Sequence, residues 1–431
     1  MKRFIKEFNS NEYDSIYSKT NQRFKDRISL SNFTSILTSV AQKTGKIKYF
    51  EFEQKKDEAL EVFNLFCERQ SIILTLGLDD RGKVGTLLLR PLQAGAGSEK
   101  KSVDQLINEW KNDKGSQALV IGEVSKDNAH YQFLGSVDKE RQLTPTMKTL
   151  FEIGSITKPL AGLILHAMIL EGKLSLDDPI NKFLPDSVQL PKVNNQEVLL
   201  KHLVTHSSCF PRLPDNMKLS IQQLQNPYQS YTNEDLLRFL KKITLSCELG
   251  KHQEYSNVGA GLLGYVITHV SQKTFDELVN EYIAKPINSN EIGILGLSPD
   301  WATGYNFLGM KQENWTFTSA MVAAGGIDAN ASSMEKLLRI LMHPDNSILG
   351  KAIIASKNTK INGVQELGTF WVKQSINNKT IIWHNGQTGG FSAFIGWVEE
   401  DGMGVFVLSN NSTITPTKLG LAYLEKLINA K

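Results

Sequence analysis

The chain has 431 residues and a formal net charge of +3, 48 Lys and Arg standing against 45 Asp and Glu. With no basic stripe interleaved with aromatics, that balance argues against a nucleic-acid partner, and no apolar run reaches the roughly 20 residues that span a bilayer. Three cysteines, Cys67, Cys209 and Cys247, allow at most one disulfide and lack metal-ligand spacing, so neither a stapled scaffold nor a cysteine metal site is expected.

The first four residues carry positive charge, but the next eleven have no apolar core, so no secretory leader is expected within this chain. Residues 1–44 read as helical, with Phe4, Ile5 and Phe8, then Ile16 and Tyr17, then Phe33, Ile36, Leu37 and Val40 at helical spacing. From Lys46 the pattern shifts to four short strands within 47–92, punctuated by the turns Lys55-Lys56-Asp57, Arg69-Gln70 and Asp79–Gly82. Helices followed by a four-strand meander predict a small α+β domain over 1–93. Its element order resembles the nuclear-transport-factor-2-like domains, which implies a binding or spacer role. Residues 94–102, small and polar, predict a linker.

The second domain, 103–431, is expected to open with an amphipathic helix over 103–111 and a hairpin turning at Asp127-Asn128. The stretch Thr149–Gly172 follows. Leu160, Leu163, Ile164, Ala167, Met168 and Leu170 leave no polar face, which predicts a helix buried on all sides. Ser155 and Lys158 fall in its first turn and share one face, with Pro159 close enough to the start to be tolerated. A serine hydroxyl needs a base within reach, and a lysine whose pKa is lowered by burial and nearby positive charge can supply it. Taken alone, the pair also fits a helix cap followed by a surface lysine. Context decides between the two.

From Gly172 to about residue 365 the chain reads as loops and short helices; strands return over 369–375, 379–386, 390–400 and 402–411, before a last helix over 416–429. This predicts an α+β domain: an antiparallel sheet of two early and three or more late strands, with a helical region inserted. Helices from the two chain ends would cover one face. Tyr255-Ser256-Asn257 precedes a second strongly apolar helix, and His384-Asn385-Gly386-Gln387 ends the strand 379–386, where glycine lets a ligand's backbone approach.

Ser155/Lys158, Tyr255/Asn257 and His384/Gly386, in that order, resemble the penicillin-recognising serine hydrolases, in their class C β-lactamase, D-Ala-D-Ala carboxypeptidase and esterase branch. Residues 150–158, 203–211, 255–264 and 319–337 add to the likeness, which spans about 105–430. It implies a β-lactamase/transpeptidase-like fold and a covalent acyl-enzyme. Ser155 would be the nucleophile, and Lys158 would accept its proton or tune the site. Tyr255 would relay protons, acting as phenolate only if positive charge lowers its pKa. His384 would sit beside Tyr255, supporting its proton transfers or meeting a substrate carboxylate. Asn257, Asn385, Gly386 and Gln387 would bind substrate, with the backbone N–H groups of Ser155 and Gln387 holding the oxyanion. No cofactor or metal is implied.

Two departures bear on substrate. His384 and Asn385 stand where many β-lactamases have Lys and Ser or Thr, which weakens the case for efficient β-lactam hydrolysis. Cys209-Phe210 replaces the family's usual Gly-Leu. His202 and His206, spaced i, i+4, are expected to be structural rather than zinc ligands. Cys209 is expected to be a buried, inert thiol. Trp301, Trp315 and Trp371 are expected in the core, while Trp383 suits core or pocket equally. The expected function is hydrolysis of a D-amino-acid peptide, an ester or, less efficiently, a β-lactam, on a small-molecule or peptide substrate that would derive from cell walls. The alternative is a binding or regulatory protein of the same fold. Cell-wall chemistry would place the protein in the periplasm or outside the cell, with a leader left out of this chain; a cytoplasmic protein is the other option.

Overall fold

The computed structural model describes residues 1–26, 28–55, 60–69, 71–91, 101–112, 117–217, 225–296, 298–360, 368–413 and 415–429. The expected linker over 94–102 lies outside them except for 101–102, and the turn expected at Lys55-Lys56-Asp57 lies outside them beyond Lys55. The chain forms two compact units, Met1–Lys100 and Lys101–Lys431.

In the first unit four helices, Lys2–Asn9, Tyr13–Ser18, Gln22–Lys25 and Leu30–Thr44, precede strands β1 (Ile47–Lys55), β2 (Leu60–Cys67), β3 (Ile72–Leu78) and β4 (Val84–Pro91). Asn21 and Ser29 start the third and fourth helices by accepting the N–H of Phe24 and Asn32. Gly45, at φ +70°, ends the fourth. The strands form an antiparallel meander in sequence order. Phe8, Ile16, Phe33, Leu37 and Val40 from the helices and Val62, Leu65, Ile72 and Leu74 from the sheet are buried.

The second unit contains β5 (Leu119–Val124), β6 (Ala129–Leu134), β7 (Leu150–Glu152), β8 (Ile292–Gly293), β9 (Gly304–Tyr305), β10 (Lys311–Gln312), β11 (Asp328–Asn330), β12 (Val372–Ile376), β13 (Lys379–Gln387), β14 (Ser392–Val398) and β15 (Met403–Ser409). Six of them make one antiparallel sheet in the order β12-β13-β14-β15-β5-β6. Every residue of β14 is buried, because both faces of the sheet are covered. On one face the helices Val103–Asn112 and Thr415–Asn429 pack Val103, Leu106, Leu419, Tyr423 and Leu424 against Ile381, Phe394, Val398 and Val405. On the other, Ile382, Ala393, Ile395 and Phe406 join the larger core, which contains the helix Thr157–Leu170. Thr157 to Met168 are all buried, so that helix is enclosed on every side.

The structure corrects three local readings of the sequence. Ser155 belongs to a 3-10 turn, Gly154–Ile156, and the α-helix begins only at Thr157; Gly154 at φ +52° turns the chain sharply from β7 into it. The region after Gly172 also contributes short strands: β8 and β11 join β7 as a small sheet, with Glu152 opposite Asp328 and Gly293 opposite Asp328 on the other side. Strands of two or three residues are too short to display alternation. The strand expected over 369–375 starts at Val372, since Phe370 sits at φ +61°.

Candidate active site

The turn Gly154–Ile156, the entry of the helix Asn257–Ser271 and the end of β13 meet at Ser155. Ser155 Oγ accepts a hydrogen bond from Lys158 Nζ at 2.9 Å and another from Tyr255 Oη at 2.7 Å. Lys158 is fully buried; its Nζ also donates to the Ala324 carbonyl at 2.6 Å and lies 4.8 Å from the Tyr255 ring centroid. Burial, seconded by the charge of Arg212, pushes the Lys158 pKa well below the usual lysine value. Burial raises the Tyr255 phenol to about 12, against weaker lowering by the Ser155 hydrogen bond and Arg212. The condition for a resting phenolate is therefore not met. Of the two neighbours of Ser155, the amine is the one whose proton burial makes easier to lose.

β13 reaches this turn by main-chain contact. A Cβ on Gly386 would stand 1.8 Å from the Ile153 carbonyl oxygen and 2.9 Å from Ser155 N, and one on Gly154 would stand 2.7 Å from Gln387 N. Only glycine fits at both positions, and the N–H groups of Ser155 and Gln387 are thereby neighbours. β12 pairs with β13 only as far as Trp383, so His384 to Gln387 extend beyond it.

The remaining expected residues fare differently. Asn257 is buried, its Nδ2 donating to Tyr228 Oη at 3.0 Å while its Oδ1 has no partner among the described residues. Asn385 is not brought to the cleft: its amide donates to Thr417 Oγ1 at 3.0 Å, on the terminal-helix face. Alternation explains this, since Ile381 faces those helices and Asn385 lies four residues further along the strand. His384 is buried, and its Nδ1 donates to the Asn385 carbonyl at 2.6 Å. Burial, with the Lys158 charge adding to it, lowers its pKa to about 3, so the ring is neutral and supplies no cation. The imidazole against Tyr255 is that of His206, with ring centroids 4.6 Å apart. His206 Nδ1 accepts the Ser256 N–H and His202 Nδ1 the Leu199 N–H, so each ring is tied to backbone.

Cys209 is not a free thiol. It forms a disulfide with Cys247, joining positions 38 residues apart. At φ +62° it occupies a conformation suited to glycine, the residue type expected there. Trp371 is fully buried and Trp383 packs on Phe394, both in the core. Trp301 is only partly buried and packs edge-on against the fully buried Phe391. Trp315 is likewise partly buried and packed against the core; it meets Tyr228 edge-on at 5.5 Å, and its Nε1 lies 2.6 Å from where a Gly389 Cβ would be. Beneath it, buried Glu152 accepts the Trp315 N–H at 2.6 Å and bonds Thr388; burial raises its pKa to about 7.

Reading the sequence missed Arg212, Tyr228 and Glu152, and named His206 as structural without placing it against Tyr255. Arg212 stands immediately after the segment 203–211, and Glu152 lies inside 150–158; both are in view as context rather than as chemistry. Arg212 Cζ lies 5.0 Å from the Tyr255 ring centroid, and its carbonyl accepts the Asn257 N–H at 3.0 Å.

The sequence model of the family described as "Beta-lactamase" matches residues 104–430. A D-alanyl-D-alanine-carboxypeptidase/endopeptidase, AmpH, of Escherichia coli is 21% identical over 320 residues, covering 70% of this chain and 82% of its own length. A beta-lactamase of Yersinia enterocolitica is 24% identical over 336 residues, covering 67% and 81% respectively. Among solved structures, the octameric penicillin-binding protein homologue from Pyrococcus abyssi superposes with a TM-score of 0.65 at 24% identity, covering 76% of this chain and 77% of that one. That likeness is one of fold. No helix among the described residues is long and apolar enough to cross a membrane.

Proposed function

Since the chain belongs to the beta-lactamase family and is a serine hydrolase of the penicillin-recognising type, we propose that Ser155 is its nucleophile and that catalysis runs through an acyl-enzyme on Ser155 Oγ. As Oγ bonds to the substrate carbonyl carbon, its proton passes to neutral Lys158, and the carbonyl electron pair moves onto oxygen. The N–H groups of Ser155 and Gln387 hold that oxyanion. Collapse of the adduct breaks the bond to the leaving amine or alcohol, which takes its proton through Tyr255. Water then attacks the ester, gives its proton back through the same groups and frees Ser155. Asn257 Oδ1 accepts from a substrate N–H. The observation that carries this reading is the position of Ser155 Oγ, 2.9 Å from an amine of lowered basicity and 2.7 Å from a phenol.

A D-amino-acid peptide or an ester is the favoured substrate class. The neutral His384 speaks against efficient β-lactam turnover, and the carboxypeptidase relative speaks for the peptide. The Cys209–Cys247 bridge supports an oxidising compartment, periplasmic or extracellular. For the unit Met1–Lys100, helices ahead of a four-strand meander support a nuclear-transport-factor-2-like binding or spacer role.

Incubation with a fluorophosphonate or a fluorescent penicillin, followed by intact mass, tests the nucleophile. Wild type gains one adduct and Ser155→Ala none; equal labelling of the variant refutes the assignment. Turnover of a p-nitrophenyl ester, nitrocefin and a D-Ala-D-Ala peptide ranks the substrates, and rapid nitrocefin hydrolysis overturns the preference for peptide and ester.

A further inference from the structure

Beneath the turn that leads out of β13, one buried carboxyl joins segments far apart in the chain. Glu152 is 3% exposed and ends β7, just before the turn that carries Ser155. Its Oε1 accepts the Trp315 N–H at 2.6 Å, and the carboxylate also bonds the Thr388 side chain. Thr388 follows Gln387 directly and opens a tight turn. Its N–H donates to the Phe391 carbonyl at 3.0 Å, and its Oγ1 accepts the Phe391 N–H at 3.2 Å. The Trp315 indole packs on the same turn at Gly389, and its Nε1 donates to the Gln225 carbonyl at 2.7 Å. Buried Asn226 then bonds both flanks of Trp315, donating to the Asn314 carbonyl at 3.3 Å and accepting the Thr316 N–H at 2.9 Å.

For stability alone a carboxyl is a poor choice here. Glu152 stands opposite Asp328 across the small sheet, and no cation acts on either acid. Oε2 of Glu152 has no hydrogen-bond partner among the described residues. Two neighbouring acids in a dry interior disfavour each other's ionisation, and hydrocarbon of similar volume escapes that cost. What the carboxyl does supply is a fixed acceptor at the end of β13. There the strand has β14 on one side, while β12 stops pairing at Trp383.

We propose that Glu152 is a positioning residue: by anchoring Thr388 and Trp315 it holds the end of β13 so that the Gln387 N–H stays aimed at the oxyanion formed on Ser155. This rests on the Ser155 acyl-enzyme reading and deepens it. A donor stabilises developing charge only when it is fixed in place before the charge appears. Acylation and deacylation both pass through an oxyanion, so a loosened donor slows both steps and leaves KM nearly unchanged.

The test follows p-nitrophenyl acetate turnover and its inhibition by phenylboronic acid, whose boron bonds Ser155 Oγ and becomes a tetrahedral anion facing the same N–H groups. Glu152→Leu, similar in size but without an acceptor, should lose roughly 10–10²-fold in kcat, with KM within about threefold of wild type. Boronate inhibition should weaken by the same factor. Glu152→Gln keeps an acceptor and should stay within about threefold of wild type in both measurements. Wild-type kcat and boronate affinity in Glu152→Leu, or an equal loss in both variants, overturns the proposal. Should Glu152→Leu not fold, Thr388→Val and Thr388→Ser decide. Valine should reproduce the loss, and serine, which keeps the hydroxyl, should not; equal activity in the two overturns the proposal. Failure of the underlying reading looks different, because Ser155→Ala would then still take up the fluorophosphonate.

Discussion

At Ser155 the proposed choice of base follows from what burial does to two neighbours. It drives an amine toward its neutral form and a phenol toward its protonated one. In the proposed mechanism Lys158 is therefore the proton acceptor and Tyr255 the relay. Tyr255→Phe should cost peptide turnover about 10²–10⁴-fold, while a p-nitrophenyl ester, whose leaving group needs no proton, should lose far less; steady-state rates on the two substrates check this. The acylation rate should rise with pH as Lys158 deprotonates, at a pH below the usual lysine range. Arg212→Gln removes one of the two causes that depress Lys158, so its rising limb should move to higher pH in a stopped-flow labelling profile. The meeting of Ser155, Lys158 and Tyr255 was legible because each sits in a short fixed pattern beside an apolar helix. Arg212 was not. Its place over Tyr255 depends on a chain reversal that brings residue 212 against residue 257, and no local pattern records that.

Among the elements, β13 shows how closely two segments are fitted. Gly386→Ala places a methyl group against a carbonyl of the turn carrying the nucleophile. Main chain lies on both sides, so neither can swing aside. A loss of about 1–3 kcal/mol or more in urea unfolding, with labelling of Ser155 abolished, is the expected outcome. The Cys209–Cys247 bridge closes a loop of 38 residues, and by loop-closure entropy replacing both cysteines by alanine should cost about 4 kcal/mol. Denaturation with and without reductant measures it, the alanine pair being insensitive to reductant. β13, β14 and β15 were readable because alternation and β-branched runs continue for seven residues or more. β8 and β11 were not, and the disulfide went unseen because its two cysteines approach only after the loop between them has folded. The same period of two would have placed Asn385 on the terminal-helix face, had parity been counted from Ile381.

For the molecule as a whole, two compact units predict separable folding. A chain starting at Lys101 should label at the wild-type rate, and calorimetry of the full chain should resolve two transitions. Buried histidines set the response to acid. His166 and His202 are lowered to about 4 and His384 to about 3, from an ordinary value of 6.5, with His206 lowered as well. Below about pH 6.5 the unfolded chain takes up protons that the folded chain refuses, so stability falls as pH drops toward 4. Glu152, raised to about 7, and Asp328, also raised, act in the opposite sense above 4.5, and two acids only partly offset four histidines. Urea midpoints between pH 7.5 and 5 should decline, and His166→Asn should flatten the decline.

The two glycines that let β13 touch the serine turn also decide where this enzyme can change. Positions 154 and 386 are closed to any other side chain, so a library aimed at new acyl substrates finds no variants there. Residues 212, 228 and 315 lie in loops, Arg212 over Tyr255, Tyr228 bonded to Asn257 and Trp315 against Tyr228, and substitutions there should redraw the substrate range while the chemistry stays put.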